Sequence, residues 1–163
     1  MAIRMVAPLE VGICCSDLDR LAGFYIEVLG CEAISTIEVP AAKARDAALS
    51  SDSYRVIRLQ TPRGERIKLL QPSAAPKSRE ESEWLLESRN AVYLTFIVDD
   101  LDAMLHRLGS SNARLLTGPT KVEVRPGVWL AFLRDPEGNV LEFVEYQDLA
   151  AYRSDLESRA PAR

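Results

Sequence analysis

The feature that most constrains the fold is an imperfect internal repeat. SDLD at Ser16–Asp19 returns as DDLD at Asp99–Asp102, and TPRGERIKLL at Thr61–Leu70 returns as DPEGNVLEFV at Asp135–Val144. The first pair is offset by 83 positions (19 to 102) and the second by 74 (61 to 135), so the order is kept while the first copy carries about nine extra residues between its motifs. Insertion in a loop accounts for that difference. Two similar units in order argue for duplication of one small module. A cleft between or within the copies is then the place to seek a site.

At 163 residues and 47% apolar content the chain suits one compact domain or two half-size modules. Its 20 basic and 24 acidic residues leave a net charge of -4 and no concentrated basic face, which argues against nucleic acid or an anionic membrane and for a small-molecule partner. No stretch approaches the roughly 20 apolar residues of a membrane span, and MAIRMVAPLEV lacks the core of a signal peptide. A cytoplasmic location is the expectation. The cysteines, Cys14, Cys15 and Cys31, are odd in number, and neighbours on a strand point to opposite faces, so a Cys14–Cys15 disulfide is not expected.

Residues Leu9–Cys15 read as a strand, and Asp17 or Ser16 can cap a helix over Asp19–Leu29, with Leu18, Leu21, Phe24, Tyr25 and Val28 at helical spacing and Gly30 as the stop. Strands follow at Glu32–Val39, Tyr54–Gln60 and Glu65–Gln71, with an alanine-rich helix or loop at Pro40–Leu49 and a turn at Thr61–Gly64. The second copy repeats that order. It has a strand at Val92–Val98, a helix at Leu101–Leu108 stopped by Gly109, strands near Ala113–Leu116 and at Val128–Arg134, a turn at Asp135–Asn139 and a strand at Val140–Tyr146. The fold class is therefore α+β, a βαβββ module over 1–71, a linker over 72–90, a second βαβββ module over 91–146 and a C-terminal tail over 147–163 that starts as a helix. KSREESEWLLES in the linker reads as a short helix, with Trp84, Leu85 and Leu86 as a satellite core in preference to a lid or a dimer contact.

Three segments, FYIEVLG at Phe24–Gly30, VDDLD at Val98–Asp102 and RDPEGNVLEF at Arg134–Phe143, resemble the vicinal oxygen chelate superfamily, the glyoxalase/bleomycin resistance/extradiol dioxygenase group. The resemblance spans roughly Leu9–Tyr146 and implies a curved mixed sheet around a cleft, helices outside it, and a homodimer. Strand parity indicates which side chains share a face. Leu141 and Phe143 oppose Val140, Glu142 and Val144; Arg66, Lys68 and Leu70 lie on one face of their strand; Glu10, Gly12 and Cys14 oppose Val11 and Ile13; and Tyr93, Thr95 and Ile97 oppose Leu94, Phe96 and Val98. Glu10, Lys68, Tyr93 and Glu142 are the cleft-facing site residues this gives.

Metal-dependent members of the superfamily place His, Gln or Glu ligands at those four positions. Glu10 and Glu142 can offer oxygen to a divalent ion, but the Lys68 ammonium has no lone pair and Tyr93 is a rare ligand, so no metal or other cofactor is firmly expected. The one histidine, His106, reads as a solvated residue of the second helix, and no Cys pair has ligand spacing. If the carboxylates and Lys68 converge as the resemblance implies, the ammonium takes the place of the missing ion, with Tyr93 adding a hydroxyl. The plain alternative is an ion-pair network in a decayed site.

Weaker signals are Trp129, Phe132, Arg55 and Arg58, each read as core or rim; parity says only that Trp129 and Phe132 oppose one another. Gly64 and Gly138 suit turns that need positive φ. Three functions compete: a metal-independent isomerase or lyase in which Glu10 or Glu142 moves a proton beside a carbonyl and Lys68 or Tyr93 steadies the oxyanion, a metal-free sequestering protein of the bleomycin resistance type, and a metal-dependent glyoxalase, epimerase or dioxygenase with an altered site. The first is favoured.

Overall fold

The computed structural model describes residues 5–78, 82–87 and 89–159. The chain divides into two compact units, with the boundary between Arg89 and Asn90. The fold is α+β, and each unit is built on the βαβββ plan.

In the first unit the strands are β1 (Glu10–Cys14), β2 (Glu32–Val39), β3 (Tyr54–Gln60) and β4 (Arg66–Pro72), arranged β1-β4-β3-β2. β1 runs parallel to β4, and the other pairs are antiparallel. Helix α1 (Leu18–Gly23) starts at Asp17, whose carboxylate accepts from the Arg20 amide at 3.0 Å. It then widens into a π-helical turn over Phe24–Val28, where the Leu29 amide bonds the Phe24 carbonyl at 3.4 Å. The expected single helix over Asp19–Leu29 is thus two geometries in series. The wider turn buries adjacent Phe24 and Tyr25 together with Leu18, Leu21 and Ala22, and Gly30 (φ 74) ends it. This side of the sheet is covered by α1, with Ile13, Ile57, Leu59, Ile67 and Leu69 beneath it. Each fully buried leucine contributes about 2 kcal/mol by burial alone.

The second unit has β5 (Tyr93–Ile97), β6 (Arg114–Leu115), β7 (Val122–Arg125), β8 (Val128–Arg134) and β9 (Val140–Tyr146), in the order β5-β9-β8-β6, with β7 also paired to β8. β7 was not read from the sequence. The strand equivalent to β2 is split into β6 and β7, with residues 116–121 looping between them. Helix α3 (Leu101–Gly109) is capped by Asp100, which accepts from the Ala103 amide at 2.8 Å, and buries Leu101, Leu105 and Leu108 on the β8–β9 side. Leu133, Leu141 and Phe143 lie beneath it, and Phe143 stacks on Phe96 at 5.2 Å.

The extra length of the first copy sits between β2 and β3, where residues 40–53 carry α2 (Ala41–Asp46) with Ala44 fully buried; the second copy spans the same gap with Pro126 and Gly127. The linker reading needs two corrections. Among the described residues of 77–88 the only helical element is a 3-10 turn at Leu85–Glu87, and residues 79–81 and 88 lie outside the description. Trp84 and Leu86 are 64% and 87% exposed, so they form no satellite core. A helix this short needs a packed apolar face, and here that face stays in water. In the tail, α4 (Leu149–Tyr152) is capped by Asp148 and followed by 3-10 turns to Arg159; residues 160–163 lie outside the description. No described helix is long and apolar enough to cross a membrane.

Candidate functional site

The four expected residues fall on the sheet faces opposite the helices, two in each unit. In the first, the parallel pairing of β1 with β4 puts Gly12 beside Lys68 and Glu10 beside Arg66. Lys68 Nζ reaches back to Glu10 Oε2 at 3.4 Å, both side chains being about one-third exposed or slightly more. In the second, β5 and β9 place Thr95 beside Glu142, and Thr95 Oγ1 donates to Glu142 Oε2 at 2.6 Å. Tyr93 lies on that same face and meets Phe132 edge-on at 5.2 Å.

Cross-strand register completes a row across each sheet. In the first unit it runs Gly12, Lys68, Arg58, Ser35; in the second it runs Thr95, Glu142, Phe132. Arg58 is half-buried and donates to Ser35 Oγ at 3.4 Å. Arg58, Ser35, Thr95 and Phe132 were not read as site residues. Parity places a residue on one of two faces, but only the pairing register says which face of one strand continues onto the next.

The residues that parity left open divide cleanly. Phe132 pairs with Glu142 and Arg58 with Lys68, on the faces opposite the helices. Trp129 and Arg55 lie on the helix-covered faces, where Lys121 sits over the Trp129 ring at 5.1 Å and Arg55 meets Asp19 at 3.3 Å. Lys121 also contacts Asp102 at 2.9 Å and Glu145 at 3.2 Å, and Glu145 accepts from the Leu101 amide at 2.8 Å. Asp102 above all, helped by Glu145, holds the Lys121 ammonium charged beyond the ordinary lysine range. This cluster ties residues 116–121 to the start of α3 and is structural.

Each β-turn that precedes the terminal strand is closed in the same way. The Thr61 amide bonds the Glu65 carbonyl and Gly64 returns to Thr61, while the Asp135 amide bonds the Asn139 carbonyl and Gly138 returns to Asp135. Gly64 (φ 97) and Gly138 (φ 88) take conformations that other residues rarely adopt. Asp135, only 4% exposed, further accepts from the Glu137 and Asn139 amides and from Asn139 Nδ2. His106 is exposed, as expected. Cys14 is exposed, and Cys15 and Cys31 are buried; the Cys15 thiol donates to the Leu70 carbonyl at 3.5 Å, and burial pushes the Cys31 thiol up.

Neither Glu10 with Lys68 in the first unit nor Tyr93 with Glu142 in the second presents the donor set of a resident divalent metal. Lys68 presents an ammonium already paired with Glu10, and one oxygen of Glu142 is taken by Thr95. Among the described residues no group of three or more His, Cys, Asp or Glu side chains is placed to hold an ion. The donor chemistry suits charge pairing and hydrogen bonding.

The likeness to solved structures is one of fold. A glyoxalase family protein from Bacillus cereus matches at TM-score 0.73 and 23% identity, covering 88% of this chain and 96% of its own. A glyoxylase/bleomycin resistance protein/dioxygenase domain from Frankia matches at 0.66 and 19%, covering 88% and 93%. The trypanothione-dependent glyoxalase I of Leishmania major matches at 0.65 and 18%, covering 97% and 96%. No curated protein sequence matches the chain. The family model of the Glyoxalase/Bleomycin resistance protein/Dioxygenase superfamily matches residues 7–143, through both repeats and both rows of candidate residues, and the chain belongs to that superfamily.

Proposed function

We propose that the protein is a small-molecule enzyme of isomerase or lyase type that acts on an oxygen-bearing metabolite without a tightly bound metal. The observation that carries this reading is the Lys68–Glu10 pair at 3.4 Å, a fixed positive charge at a position where metal-dependent relatives place a ligand. Glu142 moves the proton beside a carbonyl. Thr95, bonded to one of its oxygens, fixes the direction of the other. Tyr93, 41% exposed on the same face as Glu142, offers a hydroxyl to the developing oxyanion. On the first unit's own face, Lys68 offers a fixed positive charge to a ligand oxygen. Glu10 holds Lys68 in place.

The aromatic pair Tyr93–Phe132 favours a second reading, a metal-free protein that sequesters a planar ligand. Solvent-deuterium exchange separates the two. Small carbonyl compounds incubated in D2O with the protein should take up deuterium at the carbon beside the carbonyl, chelator should not alter the rate, and Glu142→Gln should slow it about 100-fold. Binding without exchange in any compound would leave the sequestering reading. Loss of exchange on chelation would restore a metal.

A further inference from the structure

The first sheet carries a juxtaposition that its own packing does not require. Arg58 and Lys68 are directly opposite on neighbouring antiparallel strands, with side chains on the same face. Like charges in that position destabilise a sheet, the Cβ atoms being only about 5 Å apart. Glu10 compensates Lys68, but among the described residues Arg58 makes the one hydrogen bond to Ser35 and no ion pair. A half-buried guanidinium therefore keeps most of its donors unspent beside a second cation. Next to Lys68 on its other side, Gly12 has no side chain, and a Cβ there would first meet Leu70 Cδ1 at 3.4 Å. The row thus reads bare floor, ammonium, guanidinium, hydroxyl.

We propose that Arg58 and Lys68, flanked by Gly12 and Ser35, form a subsite for a single oxyanionic group of the ligand, a carboxylate or a phosphate. A planar guanidinium grips two oxygens of such a group, and the ammonium adds a point charge. The anion relieves the repulsion between the two cations and shares Lys68 with Glu10. This inference rests on the reading that ligands bind on this face and narrows them to organic anions.

The test is an NMR titration of the full chain, at low ionic strength, with inorganic phosphate and separately with succinate. Saturable shifts of the Gly12 and Lys68 amides are expected for at least one anion, and which one identifies the group. Arg58→Gln should weaken binding about tenfold or more. Arg55→Gln, on the helix-covered face, should leave it unchanged. Glu10→Gln should tighten it about threefold, because the competing carboxylate is gone. No saturable shift with either anion, or equal affinity in Arg58→Gln, overturns the subsite; should that variant not fold, the direction of the Glu10→Gln effect decides. Anion binding lost with deuterium exchange intact removes the subsite alone. Anion binding intact without exchange removes the enzymatic reading alone.

Discussion

The two units share a backbone plan but differ in what they put on it. Each follows its first strand with an aspartate-capped helix, Asp17 in one and Asp100 in the other, and each closes its last hairpin with a positive-φ glycine, Gly64 and Gly138. The rows opposite the helices diverge completely: Gly12, Lys68, Arg58 and Ser35 against Thr95, Glu142 and Phe132. The outer strands diverge too, one continuous with a helical excursion after it, the other split and followed by a tight turn. What is kept are the helix cap and the left-handed turn position, which only a few residue types can supply. What changes are side chains that the frame holds but does not need.

That contrast can be broken most forcefully at the turns. Asp135→Ala should cost about 3 kcal/mol, because three part-buried donors lose their acceptor at once. Thr61→Ala, at the equivalent but solvated position, should cost about 1 kcal/mol or less; urea unfolding measures both. Equal losses would mean that the turns do not differ as their burial indicates. At the helix starts the units should instead behave alike, Asp17→Ala and Asp100→Ala each costing about 1 kcal/mol. A clear inequality there would show that one cap carries a load its hydrogen bond does not explain.

The divergent rows should respond in function and barely in stability. Lys68→Met should change the unfolding free energy by about 0.5 kcal/mol or less, since the pair with Glu10 is partly solvated, while ligand binding or exchange falls. A large stability loss with unchanged binding would make the pair merely structural. The smallest effect lies in alkali. Burial first, then a hydrogen bond and charge interaction with the neighbouring Tyr152 hydroxyl, raises the Tyr146 hydroxyl above its ordinary 10.0, so the folded state retains a proton that the unfolded state releases. Its contribution is fully present below that pH and is lost as pH rises through the folded value. Tyr146→Phe should therefore flatten the alkaline fall of the urea midpoint, and an unchanged slope would assign the fall to Lys121 or Cys31, both also raised.

Much of this was legible because local signals agreed with one another. Glu32–Val39, Tyr54–Gln60, Val128–Arg134 and Val140–Tyr146 fall where alternation and turn residues placed them. β7 was legible in principle: VEVR before Pro126 and Gly127 alternates and then turns, but its partner strand and the Lys121 cluster that holds the preceding loop are distant in sequence. The linker misled for the opposite reason. Its composition suits a helix, yet Trp84 and Leu86 have no apolar surface to meet among the described residues of their turn. Period two separated the two faces of each strand and the family resemblance chose the one bearing Glu10, Lys68, Tyr93 and Glu142, whereas Arg58 and Thr95 depended on register, which no single strand encodes.

The widened turn at Phe24–Val28 bears on how such a chain can change its length. Glu32 lies fourteen positions after Leu18, while its counterpart Arg114 lies thirteen after Leu101. A turn bonded five residues apart takes up one residue more than a turn bonded four apart. A single-codon insertion can thus be swallowed inside a buried helix, leaving both flanking strands in frame, and reading-frame-preserving length variation in this lineage need not be sought in loops alone.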